Sequence, residues 1–346
     1  MSTLHLVEPT AVVRRARRRP RRRLALVVGG LGAVLVALFF LCVLGGRDYI
    51  ITFPDFLAIL GGKDIPGATF ILMESRLPQA LLAVLVGLAF GTAGAVFQST
   101  LRNPLASPDM LGISTGASAA AVFGIVVLGL SGLALSAAGV LGAVLVAALI
   151  RLVAGGDGGY RLVLVGVTAA AALLAVIQYL FTRADEYDAQ LALRWMTGSL
   201  SAADWPTVRI LAVALVVLLP LVALTARTQR TLELGTDVAA GLGVTGRRTD
   251  LLLLLAVLLT ALGVAAAGPV AFVAFAAGPI ARALNGGRTT LAGAALVGAV
   301  VMVGASYPAA YAIPDTNLPV GVVTGAFGAP FLLWLLASGR TGRRSA

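Results

Sequence analysis

Residues 14–23 read RRARRRPRRR and run directly into residues 24–44, LALVVGGLGAVLVALFFLCVL. Eight arginines are followed by an uncharged apolar stretch, and that junction decides the class. A helix needs about 20 apolar residues to cross a bilayer, and Leu24–Leu44 meets that length. A secretory signal has an apolar region of only about 7–15 residues followed by a small-x-small cleavage site. This run is longer and has no clear site of that kind, so it is expected to be an uncleaved first span. Basic residues flanking a span stay on the cytoplasmic side. Residues 1–23 therefore read as a basic cytoplasmic arm. No aromatic residues interleave the arginines, as stacking on bases requires, so the arm is not read as a nucleic-acid site.

The rest of the chain has the same character. Of its 346 residues 59% are hydrophobic and only 12% charged, about half the share usual in soluble domains. Mean hydropathy is +0.98. These values exclude a soluble enzyme as the main body, and disorder as well. Ten spans are expected, at about 24–45, 79–99, 110–130, 133–153, 161–182, 207–226, 249–267, 270–284, 290–312 and 318–337, the eighth being short. The sequence thus predicts an all-α polytopic membrane protein, with a transmembrane domain over 24–337 and a basic cytoplasmic tail over 338–346. With ten crossings and the arm inside, twenty of the 26 basic residues fall in cytoplasmic segments and six outside. That asymmetry predicts both termini in the cytoplasm of a plasma-membrane protein.

Between the spans, residues 46–78 form an outside loop in which Phe53-Pro54-Asp55-Phe56-Leu57 suggests a short interfacial helix. A second outside loop, 183–206, carries Trp195 and Trp205, read as interface anchors. The pairs Gly87/Gly91 and Gly112/Gly116 have the small-xxx-small spacing that lets helices approach closely. Within the spans, Gln98 and Gln178 are read as interhelical hydrogen-bonding groups first and substrate contacts second.

Several chemistries are missing. The only Gly-Lys is Gly62-Lys63, followed by Asp64, so the chain has no P-loop. His5 is the only histidine and Cys42 the only cysteine, which excludes a histidine metal cluster, a Ser/His/Asp set and a disulfide framework. No metal site and no bound cofactor are expected. Ion-coupled carriers usually keep ionisable groups inside their spans; the predicted span interiors have none, which disfavours a stand-alone secondary transporter.

One ordered set of motifs is more specific than composition. Arg76-Leu77-Pro78 is followed by Gln98, then Arg102-Asn103-Pro104-Leu105-Ala106-Ser107-Pro108-Asp109, Leu111-Gly112 and Gly116-Ala117. Trp195, Gly198, Ser199 and Leu200 come next, then Leu234-Gly235, Ala239 and Leu242-Gly243-Val244. Gly268-Pro269-Val270-Ala271-Phe272-Val273 and Leu318-Pro319-Val320-Gly321, with Gly325 and Gly328-Ala329-Pro330, complete the series. The chain resembles the FecCD-type permeases of ABC importers for iron-siderophores, haem and cobalamin.

The resemblance implies a type II ABC importer architecture. Two permease subunits form the path, two separate ATPases use ATP and Mg, and an extracytoplasmic binding protein delivers the ligand. It implies docking of that protein at Arg76. It implies coupling to the ATPase through loop 227–248, with Leu234, Gly235, Ala239, Leu242 and Gly243, and a short helix at Thr236–Leu242. Gln98, Asn103, Pro104, Gly112 and Gly116 are implied in the path or its packing. A ferric siderophore is the expected cargo, with haem or a corrinoid as the alternative. The chain departs from the family pattern at Gln79 and Ala310, each replacing an arginine, at Asn317, replacing a glutamate, and at Gly278-Pro279, replacing Pro-His. Loss of docking charge at these positions predicts a heterodimer with a second permease.

Overall fold

The arginine arm and the first span form one helix, α1 (Pro9–Leu44), in the computed structural model, which describes residues 9–337 apart from 47–48, 156–158 and 314–315. The start of the arm and the tail 338–346 lie outside the described residues. After α1 come α2 (Phe53–Leu60), α3 (Ala68–Phe70) and a π turn (Ile71–Arg76) that leads into α4 (Leu77–Thr100). Then follow α5 (Ile113–Val126), α6 (Gly132–Ala154), α7 (Gly159–Phe181), α8 (Glu186–Thr197) and α9 (Trp205–Leu224). The short helices α10 (Ala226–Leu232) and α11 (Thr236–Gly241) precede α12 (Gly246–Ala267), α13 (Val273–Leu284), α14 (Leu291–Tyr311) and α15 (Val320–Ala337).

Seven of these stretches are long and apolar enough to cross a membrane, and α5, α13 and α15 are shorter apolar helices. Each falls on one of the ten expected spans. The described residues contain no strand, only an isolated bridge between Ile313 and Thr316. The protein is a multi-pass, all-helical membrane protein.

Burial orders the bundle. The most apolar window of Ala68–Thr100 is 78% buried, against 6% for α1 and 11% for α7. A helix that is apolar all round belongs in the centre, and α4 lies against α14, α12, α13 and α9. Its glycines make this possible. A Cβ at Gly87 or Gly91 would strike the backbone of α14 at Gly298 or Ala294, and one at Gly94 would overlap the carbonyl of Ala274 on α13. In lipid, such close contact supplies the van der Waals packing that holds helices together. The second spaced pair works differently. Gly116 packs on Gly142 and Val146 of α6, whereas Gly112 has φ +74° and turns the chain into α5 beside Gly166 of α7.

The loop helix expected near Phe53 is α2, capped by Thr52, whose hydroxyl accepts from the Asp55 amide at 3.3 Å. The second span begins earlier than expected, at Ala68, because the π turn continues it. Trp205 is more than an interface anchor, since its indole N–H donates to the Met73 carbonyl in that turn at 2.7 Å. Helix α8 was not anticipated. Its Glu186 and Asp188 in the first turn and Arg194 in the last complement the helix dipole, while its composition masks it as a polar loop.

The packing predicts a sharp contrast between glycines. Gly94→Ala should lower the unfolding midpoint of the detergent-solubilised protein, with an overpacking cost of about 1–3 kcal/mol. Gly30→Ala on α1, where nothing lies within 4 Å of the added carbon, should leave the midpoint unchanged or raise it. Equal shifts in a thermal denaturation series would refute the central placement of α4.

Candidate functional site

Three places in the bundle collect the residues singled out by sequence. The first is a polar cleft at the end of the bundle away from α10 and α11, lined by Tyr49, Arg76, Gln79, Tyr307, Ala310 and Asn317. Three of the positions that depart from the resembled pattern, Gln79, Ala310 and Asn317, thus line the same cleft as Arg76. Arg76 itself is 8% exposed. Its Nη2 donates to the Tyr49 carbonyl at 2.7 Å, and Nη1 donates to the carbonyls of Leu44 at 3.3 Å and Val43 at 3.5 Å. Gly46 is required here, because any side chain would overlap the guanidinium. No carboxylate, Glu74 included, pairs with Arg76 among the described residues. The arginine therefore ties the π turn to the exit of α1 and presents only its remaining surface to the cleft.

The second place is an open cleft between α5, α7, α8, α13 and α15. Ser107, Asp109, Ser114 and Ser118 line one side, and Thr197 and Phe272 the other. The residues Asn103 and Pro104 do not enter it. Asn103 builds the turn that leads to it, its Oδ1 accepting from the Leu105 amide at 2.9 Å, and Arg102 takes φ +50° to let the chain leave α4. The turn delivers Asp109 to the cleft wall, where Ser114 Oγ donates to Oδ1 at 2.5 Å. Sequence reading quoted Asp109 within a motif and gave it no role. An acidic residue one position before a predicted span was the available signal.

Gln98 is buried between α4 and α13, and a backbone defect explains it. Pro279 lacks an amide proton, so the carbonyl four residues earlier, Phe275, has no helical donor. Gln98 Nε2 supplies one at 2.9 Å. Its Oε1 has no hydrogen-bond donor among the described residues and lies against Gly278, where any side chain would overlap it. The Gly278-Pro279 departure is thus matched to Gln98: proline removes a donor, glycine makes room, and the amide fills the gap. Gln178, by contrast, is exposed on α7.

The third place is the α10–α11 segment. Gly235 and Gly243 bracket α11 with φ +113° and +83°. Ala239 is buried, while Leu234, Val238 and Leu242 are at least half exposed. Apolar side chains thus stand outward from a helix one and a half turns long. The segment is not loosely attached. Gln229 on α10, 3% exposed, donates to Ser99 Oγ at 2.7 Å and to the Ala95 carbonyl at 3.2 Å, both on α4. Nothing in the sequence pattern marked Gln229, since a glutamine among polar loop residues carries no periodic signal.

Among the described residues no group of three or more metal-ligating side chains occurs. The chain is 38% identical over 272 residues to the ferric enterobactin transport system permease protein FepG of Escherichia coli K12, covering 78% of this chain and 82% of that one. It is 35% identical over 273 residues to the Fe(3+)-citrate import system permease protein YfmE of Bacillus subtilis 168, covering 77% and 82%. Among solved structures, a putative metal-chelate type ABC transporter in an inward-facing conformation superposes with a TM-score of 0.80 at 25% identity, covering 90% of this chain and 99% of that one. Residues 34–338 match the FecCD transport family. With that match, and with relatives of this identity and coverage, the chain belongs to the FecCD transport family and is a transport permease, not an enzyme.

Proposed function

We propose that this protein is the membrane permease subunit of an ATP-driven importer that brings a ferric chelate of the siderophore or citrate class across the plasma membrane. Relatives named for ferric enterobactin and ferric citrate support that cargo class. The observation that carries the reading is the outward-facing apolar surface of α11, fastened to the central helix through Gln229. Without a P-loop, the chain needs a separate ATPase, which would use ATP and Mg. An exposed Leu234/Val238/Leu242 face gives that ATPase something to grip, and the α10–α4 hydrogen bonds carry its movement into the core as a rigid-body shift.

The arginine asymmetry supports a cytoplasmic position for this segment and for both termini. The opposite cleft is then the seat of an extracytoplasmic binding protein. Arg76 contributes at its floor, while Gln79 and Asn317 offer uncharged partners on the wall. Exposed ion pairs contribute only about 0.2–1 kcal/mol each, so a docking surface with one shielded arginine favours a second permease of different sequence that supplies the missing charges. The serine-rich cleft beside Asp109 supplies the path, with hydroxyls to replace part of the chelate's hydration.

Leu242→Asp should abolish ligand-stimulated uptake while the permease still reaches the membrane, because a charge on the gripping surface disrupts packing with the ATPase. Normal uptake would sink the coupling role. For orientation, Cys42→Ala protein carrying a cysteine at Ser345 should resist an impermeant thiol reagent added outside cells, and one at Asp185 should react; reversed labelling overturns it. For assembly, this permease expressed with only its ATPase and binding protein should fail to transport until a second permease is added. Full uptake from the minimal set would leave a homodimer.

A further inference from the structure

Two clefts near the α10–α11 end share Arg151, Leu162, Asp250 and Leu253 and form one continuous groove. Its upper part lies within the spans and is walled by apolar side chains of α4, α5, α6, α7 and α12, among them Phe97, Ile113, Val144 and Leu254. Its lower part passes the α6–α7 turn at Gly155 and Gly159 and reaches α11 at Thr236 and Ala240. The groove opens outward at Leu254, which is 48% exposed, and Leu149 and Leu152 of α6 and Leu251 of α12 are exposed as well. That is a lipid-facing wall of α6 and α12.

Charge marks the lower mouth. Arg151 is neutralised there, its Nε bonding Asp250 Oδ1 at 2.8 Å and Nη2 bonding Oδ2 at 3.2 Å. Arg161 stands exposed beside this mouth, and Arg247 and Arg248 stand exposed on the first turn of α12 next to it, Arg248 Nη1 donating to the Gly243 carbonyl at 3.5 Å; none of the three has a carboxylate partner among the described residues. Arg161 reaches toward Gly155 in the groove wall, and Arg247 and Arg248 lie between the lining residues Gly246 and Thr249.

We propose that this groove is a binding site for an anionic phospholipid, one acyl chain lying between α6 and α12 and the headgroup phosphate held by Arg161, Arg247 and Arg248. An apolar crevice offers water no hydrogen-bond partners and does not retain it, whereas acyl chains are present at that depth at high concentration. The bidentate Arg151–Asp250 pair closes the boundary between the apolar and polar parts without adding net charge. The three arginines, without a carboxylate partner among the described residues, then select for a negative headgroup. Basic residues at a membrane surface contribute about 1 kcal/mol each toward anionic lipid, or roughly fivefold in affinity per arginine. The site touches α11, so its occupant borders the segment read above as the ATPase contact, but the binding itself does not depend on that reading.

The test uses the purified transporter complex with Leu254→Trp as reporter, reconstituted with lipids brominated on their acyl chains. Quenching is measured as the difference from the same complex without the added tryptophan. Brominated phosphatidylglycerol should reach half-maximal quenching at a mole fraction at least tenfold lower than brominated phosphatidylcholine. The Arg161→Gln/Arg247→Gln/Arg248→Gln variant should bring the two lipids together. Ala148→Phe, which fills the upper groove, should remove the preferred component while the complex still co-purifies. Equal quenching by both lipids in the parent complex, or a preference that survives the triple substitution, overturns the site. Absence of quenching by either lipid means protein covers the groove, and overturns it equally. Because the readout is lipid contact and not uptake, failure here leaves the transport reading standing.

Discussion

Every backbone N–H and C=O inside a bilayer must find its partner within the protein, and the bond from Gln98 to the Phe275 carbonyl shows how far this chain goes to meet that demand. Pro279 interrupts α13 in the middle of the bundle. Left alone, the freed carbonyl would cost several kcal/mol in hydrocarbon. A side chain from the central helix closes the gap, and the neighbouring Gly278 clears the space it needs. Trp205 caps the Met73 carbonyl of the π turn, and Arg76 takes three carbonyls at the exit of α1. Irregular backbone is tolerated at these points because polar side chains were placed to absorb it.

The same economy explains why α4 is the hub. Its glycines admit α13 and α14 to backbone contact, its Gln98 repairs α13, and its Ser99 and Ala95 receive Gln229 from α10. One helix therefore supports α13, whose Phe275 lines the Asp109 cleft, and receives the α10–α11 platform through Gln229. Rearrangement at the platform and rearrangement of the cleft share a common rigid element, which a transport cycle requires of its core.

Much of the fold was legible because its signals are additive. Ten apolar runs need only length. The short α11 was readable as the helix-like stretch Thr236–Leu242, and α2 from Phe53-Pro54-Asp55-Phe56-Leu57. The sites were less legible. Arg76 was read as a surface charge, and nothing in Arg-Leu-Pro reveals that a turn 27–33 residues earlier folds back to cover it with carbonyls. Asp109 and Gln229 acquire meaning only from elements far along the chain. Gln98 was correctly read as an interhelical group, yet its reason, a missing proton on Pro279, lies 181 positions away in the sequence and becomes visible only when the two helices are side by side.

Helix α1 gains a mechanical character from two contacts at its ends. Its outer face is open, yet Arg23 Nε donates to the Leu284 carbonyl at the close of α13 at 2.9 Å. At the other end its last carbonyls are gripped by Arg76. Between these clamps lie about 30 Å of helix. The peripheral helix is thus a strut fastened at both membrane surfaces, stiff along its axis and free to bow sideways into lipid. The Arg23 bond links the foot of α13 to α1, and Arg76 links the far end of α1 to the π turn, so the two faces of the membrane are joined by a second path along the periphery of the bundle, where α1 packs on α14.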